Sequence, residues 1–290
     1  MIGTNGSAPI VNAMSVDVED YFQVSAFDRI VSRASWSELE SRVAANTRKI
    51  LDLFDRFGVR ATFFVLGWVA DRSPDLVRQI SARGHEIASH GYHHQLLYSL
   101  TPKQFRDDIR QAKCALERAA GRPVLGFRAP SYSITNTSLW ALDILIEEGF
   151  VYDASIFPIH HDRYGIPNAA RHAHVLTRPN GALVEVPAST VRVGGVNLPI
   201  AGGGYFRLLP YSWTRWGISR VNAVEHQPVV FYLHPWEIDP DQPRFSVGTT
   251  TRLRHYGGLK RTSGRLRRLL ADFKFDSIAS VLDLRPQLAV

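Results

Sequence analysis

The sequence predicts an α/β protein with a largely parallel sheet and crossover helices, wound open or closed into a barrel. Three observations carry this. Short apolar runs alternate with stretches of helical periodicity along most of the chain. Those runs are continuously apolar, as strands covered on both faces are. Finally, Asp17, Glu19, Asp20, His90, His94, Arg128, Asp153 and His234 all fall at or just beyond the C-terminal ends of apolar runs. In a β/α barrel those ends meet on one rim, where active sites sit.

The first strand is expected over residues 12–18, ending in the acids Asp17, Glu19 and Asp20. Residues 36–57 follow the 3.6-residue period and stop at Gly58. Residues 60–66 form a β-rich run closed by Gly67, and Ser73-Pro74 opens a helix that Gly84 ends. A short strand, Glu86-Ile87-Ala88, leads into Ser89-His90-Gly91-Tyr92-His93-His94. Helix is expected over residues 101–120 and 136–148, with strands over 124–128 and 151–156. Residues 158–179 read as a loop rich in His, Pro and Asn. A strand over 182–186, a sharp backbone feature at Gly202-Gly203-Gly204 and a helix over 210–225 come next. The apolar strand 229–233 runs into His234-Pro235, and a helix over 263–273 precedes a strand-like piece at 276–282.

With 290 residues, 45% hydrophobic and 21% charged, the composition is that of a globular enzyme. No apolar run approaches the ~20 residues needed to cross a bilayer. Residues 1–9 lack the basic and apolar regions of a signal peptide and read as a flexible tail, so the cytoplasm is the expected location. The single cysteine, Cys114, excludes a disulfide framework or a cysteine zinc site within one chain. The net charge of +7 is concentrated late: residues 252–268 hold seven Lys/Arg and no acid, interleaved with leucines. This is a solvated helix face or a peripheral contact with an anionic lipid or polymer, which would make the protein membrane-associated. Nucleic acid is not an expected partner.

His90 and His94 are four residues apart, which on one helical turn places both rings on one face. Two neutral imidazoles so placed can hold one divalent metal, zinc by preference, given a carboxylate as third ligand. A metal with an open position is a hydrolytic arrangement, and the chain also offers a basic carboxylate, an arginine to orient it and His234 as a proton donor.

The pieces Val16-Asp17-Val18-Glu19-Asp20, Ser89-His90 through His94, Phe127-Arg128-Ala129-Pro130 and Leu233-His234-Pro235 resemble the successive motifs of the NodB-type polysaccharide deacetylases. The fuller wording, including Gly-Gly-Gly-Tyr-Phe-Arg-Leu-Leu-Pro-Tyr from Gly202 and Leu-His-Pro-Trp-Glu-Ile-Asp-Pro from Leu233, resembles the branch associated with exosortase and exopolysaccharide loci, which carries an additional C-terminal region of unknown function. The resemblance implies a distorted (β/α) barrel of about seven parallel strands. It implies one catalytic domain over residues 10–290, with core motifs in 15–235 and the extension over roughly 158–290. It also implies hydrolysis of N-acetyl groups from amino sugars of a bacterial exopolysaccharide or its precursor.

Carried over by motif, Asp17 is the general base, Arg128 its orienting partner, His90 and His94 the metal histidines and His234 the acid that protonates the leaving amine. The Ser131 backbone N–H would help bind the oxyanion. Val18 stands where many members have a second aspartate, so the metal carboxylate is Glu19 or Asp20. Alternation favours Glu19, whereas a turn after the strand would bring in Asp20. Ser131 stands where an aromatic residue is frequent, with Tyr132 next. Asp153 resembles the fourth motif loosely and would steady His234.

Tyr132, Trp236, Tyr205 and Phe206 adjoin motifs and either stack on sugar rings or pack inside. His93 is expected to point away from the metal, His85 to belong to a turn, and His160, His161, His172 and His174 to form a loop cluster without a metal-binding pattern. The alternatives to a deacetylase are a cyclic amide or ureide hydrolase on the same fold and a vestigial carbohydrate-binding protein.

Overall fold

The computed structural model describes residues 9–284, so all of the expected tail but Pro9 lies outside the described residues. The strands are β1 (Val11–Val18), β2 (Thr62–Val65), β3 (Glu86–Ser89), β4 (Gly126–Phe127), β5 (Tyr152–Asp153), β6 (His174–Arg178), β7 (Gly181–Glu185), β8 (Thr190–Val193), β9 (Val196–Pro199), β10 (Val230–Leu233) and β11 (Lys274–Asp276). The helices are α1 (Val43–Phe57), α2 (Gly67–Arg72), α3 (Pro74–Ala82), α4 (Pro102–Ala120), α5 (Trp140–Glu147), α6 (Gly203–Leu208), α7 (Tyr211–Arg220), α8 (Thr249–Tyr256), α9 (Leu259–Asp272) and α10 (Ile278–Val281).

The main sheet runs β10-β1-β2-β3-β4-β5-β7-β6, with β11 on the first residues of β1. From β10 to β7 all pairs are parallel, which makes the expected seven-strand array; β6 turns back antiparallel on β7. The ring is not closed by a ladder. Between β7 and β10 the chain crosses at Ser189, whose Oγ accepts from the Val230 N–H at 2.8 Å, and at one parallel bridge from Gly202 to Tyr232. Gly202 has φ +128°, and a Cβ there would lie 1.9 Å from the Tyr232 carbonyl oxygen, so only glycine permits this approach.

Helices cover the outside through apolar stripes. α1 buries Val43, Asn46, Thr47, Ile50, Leu51 and Phe54, one face at 3.6-residue spacing, and ends on Gly58 in the left-handed region. α4 opens with a capping box between Thr101 and Gln104 and Pro102 at its first position. The core between sheet and helices includes Phe63, Val65, Ile109, Leu116, Phe127 and Phe231, all fully buried.

Several boundaries differ from expectation. Helix begins at Val43 rather than residue 36, because residues 33–38 form a 3-10 turn and the backbone N–H groups of Arg42 and Val43 are capped by Asp20. Gly67 opens a helix as well as closing a strand; a Cβ there would meet the Ala112 Cα at 2.7 Å, so glycine lets α2 lie close on α4. The long loop contains β6. The hairpin β8–β9 turns on Gly194-Gly195, both at positive φ, a two-glycine signal readable in the sequence. The last expected strand is β11 followed by α10, whose first turn Ser277 caps. Among the described residues no helix is long and apolar enough to cross a membrane.

Candidate active site

The ends of β1, β3, β4 and β10 converge, as parallel neighbours must. β3 delivers His90, after which Gly91 takes φ +74° and His94 φ +52°. The expected helical turn is therefore absent. A loop replaces it, folded by Asp108 of α4, which accepts from the N–H groups of Tyr92 (2.8 Å) and His93 (3.2 Å). The loop still brings the two rings to a centroid separation of 5.4 Å. His90 Nδ1 lies 2.8 Å from the Arg128 carbonyl oxygen, which can only accept, so Nδ1 carries the proton and the Nε2 lone pair is left free. Burial holds His90 down at about 4, which keeps it neutral near pH 7.

Glu19, His90 and His94, all buried, present ligand atoms within 4.8 Å of one another. Glu19 Oε2 lies 2.6 Å from His94 Nε2 without hydrogen-bond alignment, and it is a buried oxygen without a hydrogen-bond partner. Two imidazoles, a carboxylate and an orphaned buried oxygen fit a divalent cation. Burial alone would raise the Glu19 pKa, but His94, His234 and His90 hold it well below the carboxylate range. Of the two open candidates, Asp20 is excluded as a ligand. Its carboxylate accepts from Ser41 Oγ (2.7 Å) and the Arg42 (2.8 Å), Val43 (3.1 Å) and Tyr21 (3.1 Å) N–H groups, as the cap of α1. A turn closed by the Gln23 N–H on the Asp20 carbonyl directs it there.

Asp17 is 2% exposed and held by Arg128, whose Nη1 donates to Oδ1 at 2.6 Å and to Ser15 Oγ at 2.8 Å. His234, the residue directly after β10 and beside the end of β1, places Nε2 3.8 Å from Asp17 Oδ2 and 3.6 Å from Glu19 Oε1. Its Nδ1 faces Glu237 Oε2 at 3.2 Å, and the same oxygen accepts from the His234 backbone N–H at 3.0 Å. Glu237 is anchored by Arg207 at 2.6 Å, and Arg207 also donates to the carbonyls of Arg254, His255 and Gly257. Burial opposes protonation of His234, but the Glu237, Glu19 and Asp17 carboxylates raise it to about 9.

Asp153 does not steady His234. It accepts from Ser155 Oγ at 2.5 Å and stands opposite Glu185 in the β5–β7 register. Burial and the neighbouring Asp153 carboxylate push Glu185 well above the carboxylate range, which favours its protonated form.

A cavity of about 430 Å³ opens over these groups. Ser131 and Tyr132 line it with φ of +53° and +54°, two consecutive left-handed residues. Ser131 Oγ lies 2.9 Å from Ser25 Oγ, which accepts from Arg163 at 2.9 Å. The buried Tyr132 hydroxyl has no hydrogen-bond partner, an opening for a ligand group. Trp236 stacks between His234 and His255 and donates its indole N–H to Glu19 Oε1 at 3.1 Å, which orients that carboxylate.

Residues 27–145 match the polysaccharide deacetylase family model, and residues 154–283 match that of a domain of unknown function, DUF3473. The chain is 36% identical over 98 residues to a peptidoglycan-N-acetylglucosamine deacetylase of Bacillus cereus, over 33% of this chain and 36% of that protein. The chain carries a polysaccharide deacetylase domain. The chain spans less than half the length of this curated relative. In fold it is similar to a Mycobacterium smegmatis protein assigned to the polysaccharide deacetylases, with a TM-score of 0.64, 20% identity and coverage of 97% of this chain and 93% of that one. It is also similar to the Puue allantoinase, with a TM-score of 0.62, 17% identity and coverage of 96% and 90%.

The candidate residues come from both matched regions, His90, His94 and Arg128 from the first and His234, Trp236 and Glu237 from the second, while Asp17 and Glu19 precede both. The loop histidines form no metal cluster among the described residues; His161 stacks on Tyr164 at 3.8 Å and His172 pairs with Glu225. His93 faces Asp108 rather than the trio, and His85 Nδ1 accepts from the Ala61 N–H in the expected turn. Sequence reasoning missed Glu237, Arg207 and Ser25. For Glu237 the signal existed: an acid three residues after His234, across a proline-initiated turn.

Proposed function

We propose that this protein is a metal-dependent N-deacetylase that hydrolyses N-acetyl groups on the amino sugars of a bacterial exopolysaccharide or its precursor. The observation that carries the reading is the buried Glu19–His90–His94 trio with Asp17–Arg128 on one side and His234–Glu237 on the other. A divalent cation held by the trio, zinc by preference, supplies Lewis acidity toward the hydrolytic water and the amide carbonyl. Asp17, its carboxylate fixed by Arg128, takes the proton from the attacking water. The Ser131 backbone N–H, at the left-handed turn that lines the cavity, helps bind the developing oxyanion. His234, held protonated by Glu237, gives its proton to the departing amine as the C–N bond breaks. Trp236 fixes Glu19 and is a positioning residue, with its ring faces already occupied by two histidines.

Support for a carbohydrate amide comes from the family match and from the name of the Bacillus cereus relative. The likeness to an allantoinase shows the shared fold. The exopolysaccharide assignment rests on the wording of the motifs around Asp17, Gly202 and His234. We also read residues 10–284 as one catalytic unit, since the C-terminal region supplies β10, paired with β1, and the proton donor. The test is His90→Ala: metal content and acetate release from N-acetylated oligosaccharides both fall to background. Retention of both would refute the mechanism, and metal-free activity on a cyclic ureide would favour the other hydrolase.

A further inference from the structure

Beside the cavity lies a surface that neither the trio nor its partners use. Leu208 lines the cavity mouth and is 39% exposed; Leu209 follows it at 36%. Leu253, on α8, is 60% exposed and shares with Leu208 the space over Gly257. From Leu209 the surface continues over Pro210, Trp213 and Trp216, the last 42% exposed, with the two indoles 5.2 Å apart. The result is a ridge of three leucines and Trp216 in the open, backed by the half-buried Trp213 and contiguous with the mouth. Single exposed apolar residues need no explanation; a run of four large ones does.

The ridge is set among cations. Residues 244–271 contain eight Lys/Arg and no acid. Arg252 and Arg254 flank Leu253 on α8, and the Arg268 guanidinium lies over the Tyr211 ring beside Pro210. Neither Arg252 nor Arg268 has a carboxylate within 4.0 Å among the described residues; Arg254 faces Asp162 at 3.6 Å and Arg215 faces Asp272 at 3.2 Å. Arg265 is different, since it donates to the carbonyls of Phe206, Arg207 and Leu209 and holds the α6–α7 corner against α9. The corner carrying the ridge is thereby tied to the helix carrying the charge.

We propose that this face docks on an anionic lipid bilayer, with Leu209, Leu253 and Trp216 entering the interface and Arg252 and Arg268 meeting headgroup phosphates. Leucine and tryptophan side chains bounded by arginines are the composition of a surface that sits in the headgroup layer. A soluble polyanion would meet the arginines but leave the leucines in water. Because Leu208 and Arg254 belong to both ridge and mouth, docking brings the cavity to the membrane surface, within reach of a glycan carried on a lipid. That last step rests on the deacetylase reading; the docking does not.

The test uses the full chain and sedimentation with vesicles of equal parts phosphatidylglycerol and phosphatidylcholine, beside vesicles of phosphatidylcholine alone. Binding is expected to the anionic vesicles. It falls about tenfold or more in Trp216→Ser/Leu253→Ser and in Arg252→Glu/Arg268→Glu, while acetate release from a soluble oligosaccharide stays within about twofold. No binding to anionic vesicles overturns the proposal, as does binding that survives the serine substitutions, which would be adsorption by charge alone. A wild-type oligomer that the serine variant dissociates would assign the face to a second copy of the chain and also overturn it. Vesicle binding is read without catalysis, so loss of the deacetylase reading and loss of the docking face are distinguishable.

Discussion

Replacing Glu237 by glutamine separates two duties that one carboxylate performs. Glu237 is 1% exposed, with one oxygen on the buried Arg207 and the other on His234 Nδ1 and its backbone N–H. Glutamine keeps the shape and removes the charge. Arg207, 2% exposed, then becomes a buried cation without its anion, a change that destabilises by about 3–5 kcal/mol. For a chain of 290 residues that lowers Tm by roughly 5–8 °C. The second duty is electrostatic support of protonated His234, and loss of a working general acid slows turnover by about 10²–10⁴. The assay is acetate release at a temperature well below the variant's Tm, on protein whose metal content matches wild type. Arg207→Lys is the control, because it perturbs the same buried pair and leaves the Glu237–His234 contact in place. Its Tm falls while turnover per folded molecule stays within about tenfold. If metal-loaded Glu237→Gln turns over within threefold of wild type, Glu237 is only the counter-ion of Arg207 and the proton-donor argument fails.

The neighbouring acids at the end of β1 divide by function. Glu19→Gln abolishes tight metal binding with little change in the stability of the metal-free protein, whereas Asp20→Asn keeps the metal and loses about 0.5–2 kcal/mol as the α1 cap weakens; metal analysis beside thermal melts checks both. The Asp153–Glu185 pair predicts a pH dependence of stability. Folded Glu185 holds its proton above the ordinary value of 4.5, so between that value and its raised folded value the native state binds more protons than the unfolded chain, and stability falls as pH rises. Glu185→Gln removes this slope, melting higher than wild type at pH 8 and no higher at pH 4; parallel pH profiles of Tm would rule out a protonated Glu185 in the folded chain.

How much of this was readable in the sequence depends on the range of the interaction. The rim was readable because strand ends are local features: the acids after β1, His90 after β3, Arg128 after β4 and His234 after β10 stand where the apolar runs stop. Glu19 was favoured by alternation but not separated from Asp20, because the turn that sends Asp20 to the start of α1 is closed by Gln23 and residues 41–43, contacts that alternation does not encode. Asp153 was placed correctly at a strand end and paired wrongly. Its true partner, Glu185, is brought opposite by the β5–β7 register, a contact across 32 residues that no local pattern encodes. The histidine pair shows the reverse. Spacing suggested a helix, Gly91 and the Asp108 carboxylate built a loop, and the rings still meet, because the loop's N–H groups are satisfied by a side chain instead of by helical carbonyls.

The order of the sheet separates the residues of the proposed chemistry from those that shape the cavity. β10 pairs with β1 in parallel register, Val16 opposite Leu233, so Asp17 and His234 are the next residues on neighbouring strands. Their approach is a property of the ladder. Between β5 and β10, by contrast, the chain makes a long excursion interrupted in the main sheet only by β6 and β7, and loop-closure entropy grows only slowly with the length of such connections. That excursion carries Arg163, Tyr164, Tyr205 and Arg207, which form the far wall of the cavity, and Leu208 at its mouth. Changes there reshape what the cavity admits and leave the spacing of Asp17, Glu19 and His234 to the strands. Arg207 is the exception on that wall: it reaches back to Glu237, so a substitution that removes its charge alters the proton donor along with the pocket.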